Sequence, residues 1–260
     1  MSSPVAKTAK SAKARKKDPK TAAKKDQPKR SIFWWIGVGP VLFARWGLRI
    51  AITFMIAMGL LTLGYTVINP PTTPYMLLEG QRLDNVRQEW RAFEEISPHV
   101  PRAIIAAEDA NFCNHWGFDM NAIRDALEDG SGRGASTISQ QTVKNVFLWH
   151  GRSWLRKALE ATLTPVVEAA WTKRRILEIY MNVAEFDEGI FGIAAASKWY
   201  FGVDAKDLSP LQAAQLAVVL PNPKDRSAKR PTAFLQKRAR RVLDGAATIR
   251  ADGRSACIEG

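Results

Sequence analysis

Ile50–Ile68 reads IAITFMIAMGLLTLGYTVI, nineteen consecutive residues without a charge, and no other feature restricts the fold of this chain as strongly. At ~1.5 Å rise per residue, such a run matches a hydrocarbon layer about 30 Å thick. It predicts a transmembrane helix. Arg45 and Arg49 stand at its N-terminal end, and Trp34, Trp35 and Trp46 have the character of an interfacial aromatic belt. Positive residues stay on the cytoplasmic side, so everything after Asn69 is expected outside. The preceding apolar stretch, Ile32–Ala44, is short for a crossing and contains Gly37-Val38-Gly39-Pro40, so it is expected to lie at the interface. Asn69-Pro70-Pro71 offers no small-x-small cleavage site, which favours a retained anchor over a removed signal peptide.

Charge divides the 260 residues further. The net charge is +13, but residues 1–30 hold eleven Lys/Arg against only Asp18 and Asp26, so nine of the thirteen excess positive charges belong to the tail. Residues 1–31, rich in Lys, Ala and Pro, cannot bury enough apolar surface to offset the entropy of ordering and are expected to be a disordered cytoplasmic tail. A membrane segment at 32–68 follows, then a linker at 69–83, whose first part, Asn69-Pro70-Pro71-Thr72-Thr73-Pro74, is expected to be extended. A domain is expected at 84–245, with a C-terminal tail at 246–260. Cys113 and Cys257 are too few and too far apart for a disulfide framework, and free thiols are the expectation.

The domain reads as mainly α. Leu155–Trp171 and Arg175–Val183 repeat apolar residues at helical spacing, as in Ile176, Ile179, Tyr180 and Val183. Ser209-Pro210-Leu211-Gln212 has the form of a capped helix start, and Pro221 and Pro223 stop the helix that follows. Alternating apolar/polar runs are scarce, so any sheet is small.

Four stretches carry possible chemistry. Ala103–Ala107 delivers Glu108 and Asp109 just before the aromatic-rich Asn111–Asp119; the pair is either a solvated helix end or a carboxylate near apolar surface, with a raised pKa suited to proton transfer. A glycine-rich run, Gly130–Gly134, leads to Ser136-Thr137-Ile138-Ser139-Gln140-Gln141 and Lys144. This is either a phosphate-holding helix start or a plain capping box with Thr137 as N-cap and Gln140 at N3. Arg152, Arg156, Lys157 and Glu160 are either a basic cluster beside a second carboxylate or a surface ion pair. In Lys173–Asn182 the apolar stripe packs a core, while Tyr180, Asn182 and the Glu185–Gly192 loop lie within reach of a cleft.

Read in order, the blocks EDxxFxxHxGFD, GASTISQQxxKNxFL, RSWxRKxxE, KRRILExYxN and LxxAxLAxxLPNP resemble the motifs of the family 51 glycosyltransferases, the peptidoglycan polymerases, over roughly Pro98–Pro223. The likeness is greatest to the family's monofunctional Gram-negative branch. It implies a lysozyme-like, largely helical domain with a flexible jaw near the membrane. It implies that Glu108 is the general base, deprotonating the 4-OH of a lipid II acceptor as that oxygen attacks C1 of an undecaprenyl-pyrophosphate-linked glycan, with inversion to a β-1,4 linkage. By the same resemblance Glu160 is the second catalytic carboxylate, and Lys144 and Arg152 bind the pyrophosphate. Ser136, Gln140 and Gln141 fall at donor-cleft positions, with Arg156 and Lys157 adding charge, and Asp109, Phe112 and His115 shape the site. No cofactor is required, although a divalent cation, Mg or Mn, at the donor pyrophosphate is compatible with the pattern. The expected partners are the lipid-linked substrates, the membrane and cell-division or elongation proteins, with no nucleic acid. The expected location is a bacterial inner membrane crossed once, with the domain in the periplasm.

About forty residues follow Leu220, too few for a further domain, and no Ser-x-x-Lys or Lys-Thr-Gly motif occurs. Transpeptidase activity is therefore not expected. A lytic muramidase would also use a glutamic acid but needs no cation cluster, and a tail-driven scaffold would need no site at all.

Overall fold

The computed structural model describes residues 32–128, 136–151 and 153–259, with residues 32–39 as backbone only. The chain divides into two compact units, residues 1–52 and 53–260. The basic tail lies outside the described residues.

Helix α1 runs unbroken from Ile32 to Gly64 with Pro40 inside it. Its apolar window, Pro40–Gly64, is 25 residues long, almost wholly exposed, and long and apolar enough to cross a membrane. Ile32–Ala44 is helical and runs without a break into the apolar window, and the helix ends at Gly64 instead of Ile68. In a hydrocarbon medium every backbone group needs a partner within the segment, which holds a helix together through a single proline. Past Gly64 the chain turns, with Thr66 Oγ1 donating to the carbonyl of Leu63. Trp171 Nε1 donates to the carbonyl of Thr62 at 2.7 Å, and the Arg175 guanidinium donates to the carbonyls of Tyr65 and Ile68. A cation there also complements the negative end of the helix.

Residues 69–73 carry no helix, but the rest of the expected linker is helix α2, Pro74–Arg82. Thr73 caps it by accepting from the Met76 N–H, and Pro74 occupies the first turn, where its missing N–H costs nothing. Tyr75 and Met76 are buried, so this segment belongs to the domain. Next come β1 (Arg87–Gln88), α3 (His99–Glu108), α4 (Met120–Glu128), α5 (Ile138–Phe147), α6 (Trp154–Ala170) and α7 (Lys173–Val183). They are followed by β2 (Glu185–Asp187), β3 (Ile190–Phe191), α8 (Ile193–Phe201), α9 (Pro210–Ala217) and α10 (Ala233–Ala251). The sheet is as small as expected: order β1-β3-β2, with β1 parallel and β2 antiparallel to β3.

Helix α3 packs on α9 and α10, while α5 packs on α6 and α7. Val100, Ile104 and Ile105 of α3, Ile138 and Val143 of α5, and Ile176, Ile179 and Tyr180 of α7 are essentially inaccessible. Burying each such side chain contributes roughly 1.5–3 kcal/mol. The predicted start of α9 is confirmed: Ser209 accepts from the Gln212 N–H, and Gln212 Oε1 accepts from the Ser209 N–H.

The supposed C-terminal tail is structured as well. Helix α10 continues to Ala251, and Cys257 forms a disulfide with Cys113, 144 residues away. The expectation of free thiols is overturned, because pairing depends on where the fold brings the two Cβ atoms, with a Cα–Cα distance here of 5.6 Å. Closing a loop of that size removes on the order of 5 kcal/mol of chain entropy from the unfolded state in the loop-entropy model.

Candidate active site

Glu108 is the last residue of α3; Asp109, at φ −160° and ψ 74°, leaves the helix. The residue therefore sits at an element end and is half-buried. Oε2 accepts from Gln141 Nε2 at 2.9 Å, and Gln141 Oε1 accepts from the Tyr180 hydroxyl at 3.0 Å. Glu108, Gln141 and Tyr180 thus form one chain of hydrogen bonds across α3, α5 and α7. The buried hydroxyl holds the oxygen end of the amide, so the NH2 end must face the carboxylate. Oε1 of Glu108 is buried and has no hydrogen-bond partner among the described residues. Burial raises the Glu108 pKa above the usual carboxylate value, opposed by the Gln141 hydrogen bond and by the charges of Arg238, Lys144 and Arg226. Burial likewise pushes the Tyr180 hydroxyl well up, reinforced by Glu108 and Asp109.

Asp109 does a different job. Both its oxygens lie within hydrogen-bond distance of His115 Nε2, at 2.9 and 3.1 Å, and Oδ2 also accepts from the Ile138 N–H at 3.0 Å. Thr137 Oγ1 accepts from the Gln140 N–H, and Gln140 Oε1 accepts from the Thr137 N–H. The start of α5 is therefore a filled capping box with the protein's own carboxylate on the next amide. Of the two readings of that helix start, the structure shows the capping box, and Gln140, expected at a donor-cleft position, is buried within it. Phe112 is fully buried and serves as core beneath the turn. Gly117, at φ 83°, lets this turn pass close to α6, where an added Cβ would lie 2.6 Å from Thr164 Cγ2.

The cations gather along the first turns of α6. Ser153 caps that helix. Glu160, 3% exposed, is paired with Arg156 at 2.6 Å and with Lys157. Lys157 Nζ also donates to Ser136 Oγ at 3.2 Å. Burial lowers the pKa of Lys144, with Glu160 opposing that and Arg156 adding to it; Glu108 and Lys157 act on it too. Lys144 thus stands where the fields of the two predicted carboxylates meet. Arg152 lies outside the described residues.

A cleft of about 240 Å³ opens alongside, lined by Gln141, Lys144 and Tyr180 together with Tyr75, Asn145, His150, Glu185, Asn222 and Lys224. His150 stacks on Tyr75 at 3.4 Å between ring centroids, and its pKa is pushed down to about 3 by burial and by Lys144, Arg156 and Lys224. It is neutral at physiological pH. Tyr75 donates to Glu185 Oε2 at 2.6 Å. Tyr75 and Lys224 were not singled out from sequence: Tyr75 sits in what reads as a linker, and Lys224 follows the Leu-Pro-Asn-Pro block. The Thr73-Pro74 start of α2 is the signal that could have found Tyr75. Asn182 is a correction of another kind. It is fully buried, its Oδ1 accepting from the Arg91 N–H and its Nδ2 donating to the carbonyls of Arg91 and Glu178. It closes the packing under β1 and does not reach the cleft.

A buried carboxylate beside a cluster of cations, on a small helical domain, has the make-up of a group-transfer site. The family model described as Transglycosylase matches residues 77–247. A biosynthetic peptidoglycan transglycosylase of Jannaschia sp. is 55% identical over 82% of this chain and 90% of its own length. Proteins of the same description from Caulobacter vibrioides and Pseudomonas fluorescens are 46% and 45% identical, over 75% and 82% of this chain and 86% and 92% of theirs. The chain belongs to the transglycosylase family, in which it is a glycosyl-transferring enzyme.

Proposed function

We propose that this chain polymerises peptidoglycan glycan strands from a lipid-linked disaccharide at the outer face of a bacterial inner membrane. The observation that carries this reading is the Tyr180–Gln141–Glu108 hydrogen-bond chain, whose Gln141 and Tyr180 line one cleft with Lys144, on the same domain as the Arg156–Lys157–Glu160 cluster. Glu108, held at a raised pKa, takes the proton of the acceptor 4-OH as that oxygen attacks C1 of the donor sugar. The C1–O bond to the undecaprenyl pyrophosphate breaks on the opposite face, giving inversion. The leaving pyrophosphate needs no proton, but its developing charge needs cations already in place. Lys144, Arg156, Lys157 and Arg152 supply them. Glu160 acts through its two partners, holding their side chains in position.

Among the described residues no group of three or more His, Cys, Asp or Glu is arranged to hold a metal, and Glu160 is paired with two cations of the protein, so a divalent cation at the donor would take its ligands mainly from the pyrophosphate itself.

The membrane enters through α6 as well as α1. The charges of α6, at Arg156, Lys157, Glu160 and Glu168, turn inward to partners. Its outer face is uncharged: Trp154 is 93% exposed, Leu155 is 65% exposed, and Ala158, Ala161, Thr162 and Ala169 are exposed too. This face meets α1 in an apolar groove lined by Gly59, Thr62, Leu63, Pro165, Val166, Ala169 and Ala170. A helix with its polar side inward and its apolar side outward suits a bilayer interface, where a polyprenyl-linked substrate resides. The Cys113–Cys257 bridge, together with the arginines before the span, supports an oxidising compartment for the domain and a cytoplasmic N-terminus.

The test is polymerisation of lipid II by the detergent-dissolved full chain, with Lys144→Met alongside. Long glycan from wild type and a loss of roughly 10² or more in rate for the variant are expected, the scale for removing a transition-state charge partner. Soluble fragments from finished glycan, with no polymer from lipid II, would replace this reading with a lytic one.

A further inference from the structure

Cys113 lies between two residues of the first motif that have fixed tasks: Phe112, which fills the core, and His115, which holds Asp109. Its partner, Cys257, belongs to a short helical turn, Ala256–Ile258, that docks on the catalytic helices. Arg174 of α7 donates to the carbonyl of Ile258 at 2.9 Å, Arg102 of α3 pairs with Glu259 at 3.0 Å, and Ser255 Oγ donates to the same carboxylate. Helix α3 ends in Glu108, and α7 carries Tyr180. The C-terminal turn thus bridges the elements that present the base and its hydrogen-bond chain, and the disulfide fastens it to the turn between them.

The noncovalent attachment is thin. Among these contacts, the burial comes mainly from Ile258 and Ser255, and the Arg102–Glu259 pair is partly open to water. Residues 110–116 themselves contain only short-range backbone hydrogen bonds, from the Phe112 and Asn114 N–H groups. Both cysteines are half-buried, not sealed, so an exchanging thiolate can reach the bond.

We propose that the Cys113–Cys257 bridge is a positioning clamp for the first motif, so that full catalytic competence depends on thiol oxidation after the domain has left the cytoplasm. The two thiols lose two protons and two electrons to the disulfide of an extracytoplasmic dithiol oxidant. That oxidant leaves as a dithiol, and the Cys113–Cys257 S–S bond forms. With the bond reduced, the C-terminal turn detaches more often and the Asp109–His115 turn loses its outer restraint. Glu108, one residue before that turn, is then held less well against Gln141. The cysteines are positioning residues, acting through Glu108.

This inference rests on the polymerase reading, and the experiment separates the two. The full chain, purified in detergent under oxidising conditions, is first alkylated and weighed with and without reductant. Two alkylation events that appear only after reduction are expected; free thiols in the oxidised protein would overturn the clamp whatever the activity. Lipid II polymerisation is then measured across pH for oxidised, reduced and reoxidised protein and for the Cys113→Ser, Cys257→Ser double variant. Reduction is expected to lower kcat about threefold to tenfold with little change in KM, to move the acidic limb of the profile, and to be reversed by reoxidation. The double variant should show the lowered rate and ignore reductant. If reduction lowers Tm but leaves kcat and the profile unchanged, the bridge is only structural and the proposal fails. If the oxidised protein makes no polymer, the polymerase reading fails and takes the positioning role with it, while the alkylation result still reports the bond.

Discussion

At Glu108 a carboxylate is placed in surroundings that disfavour its charge. Burial raises its pKa, and the hydrogen bond from Gln141 partly restores the ionised form. Two outcomes follow with definite sign. General-base catalysis needs the ionised form, so activity rises as pH climbs through the Glu108 pKa, with its acidic limb above the ordinary carboxylate range. Gln141→Leu removes a donor to the charged form, so it moves that limb to higher pH; a rate–pH profile measures it, and a limb that stays put contradicts the role given to Gln141. The second outcome concerns stability. A folded pKa above the unfolded value of about 4.3 means that stability is highest below that value and declines as pH rises through the folded pKa. Glu108→Gln removes this penalty while its amide oxygen can still accept from Gln141. The variant should therefore melt higher than wild type at pH 7, by about 2–4 °C per kcal/mol relieved, and at pH 4 the gain should shrink. A melting temperature unchanged at pH 7 would show that the carboxylate bears no such cost.

At the scale of elements, the caps were the most legible feature. Ser209-Pro210-Gln212 and Thr137-Gln140 close their boxes as the residue types dictate, because capping is local chemistry. The same locality explains the failures. Pro70, Pro71 and Pro74 give the Asn69–Pro74 stretch the composition of a linker and mask the Thr73 cap of α2. Asn182 is a helical neighbour of Tyr180, but only the Arg91 backbone lying against α7, past the end of β1, shows that its amide is already fully used. The members of the hydrogen-bond chain could be named from the motifs, but not their contact, since Glu108, Gln141 and Tyr180 lie on three different helices. Likewise, helical periodicity locates α6 without revealing that its charges face inward. That inversion carries its own prediction. Trp154→Glu with Leu155→Glu should slow polymerisation of bilayer-embedded lipid II by severalfold, with kcat on a detergent-dispersed short-chain substrate nearly unchanged. Equal losses on both substrates would assign these residues to the site instead of the membrane.

The whole molecule couples an anchor to a base. The carbonyls at and beyond the C-terminal end of α1 are held by Trp171 and Arg175, side chains at the junction of α6 and α7. Helix α6 bears the cations and α7 bears Tyr180, so the parts proposed to hold the pyrophosphate and aim the base are tied directly to the long apolar helix. The long apolar helix and the motif order were legible in sequence because each is contiguous. The ties between them, including the Cys113–Cys257 bond, were not, because they join residues that only the fold brings together. The most direct measurement is the rate of lipid II polymerisation by the full-length chain beside Glu108→Gln, with folding of the variant confirmed by its melting curve. The account predicts polymer from wild type and a loss of roughly 10²–10⁴ in kcat for the variant, the range for removing a general base. A folded Glu108→Gln protein that polymerises at the wild-type rate would contradict it.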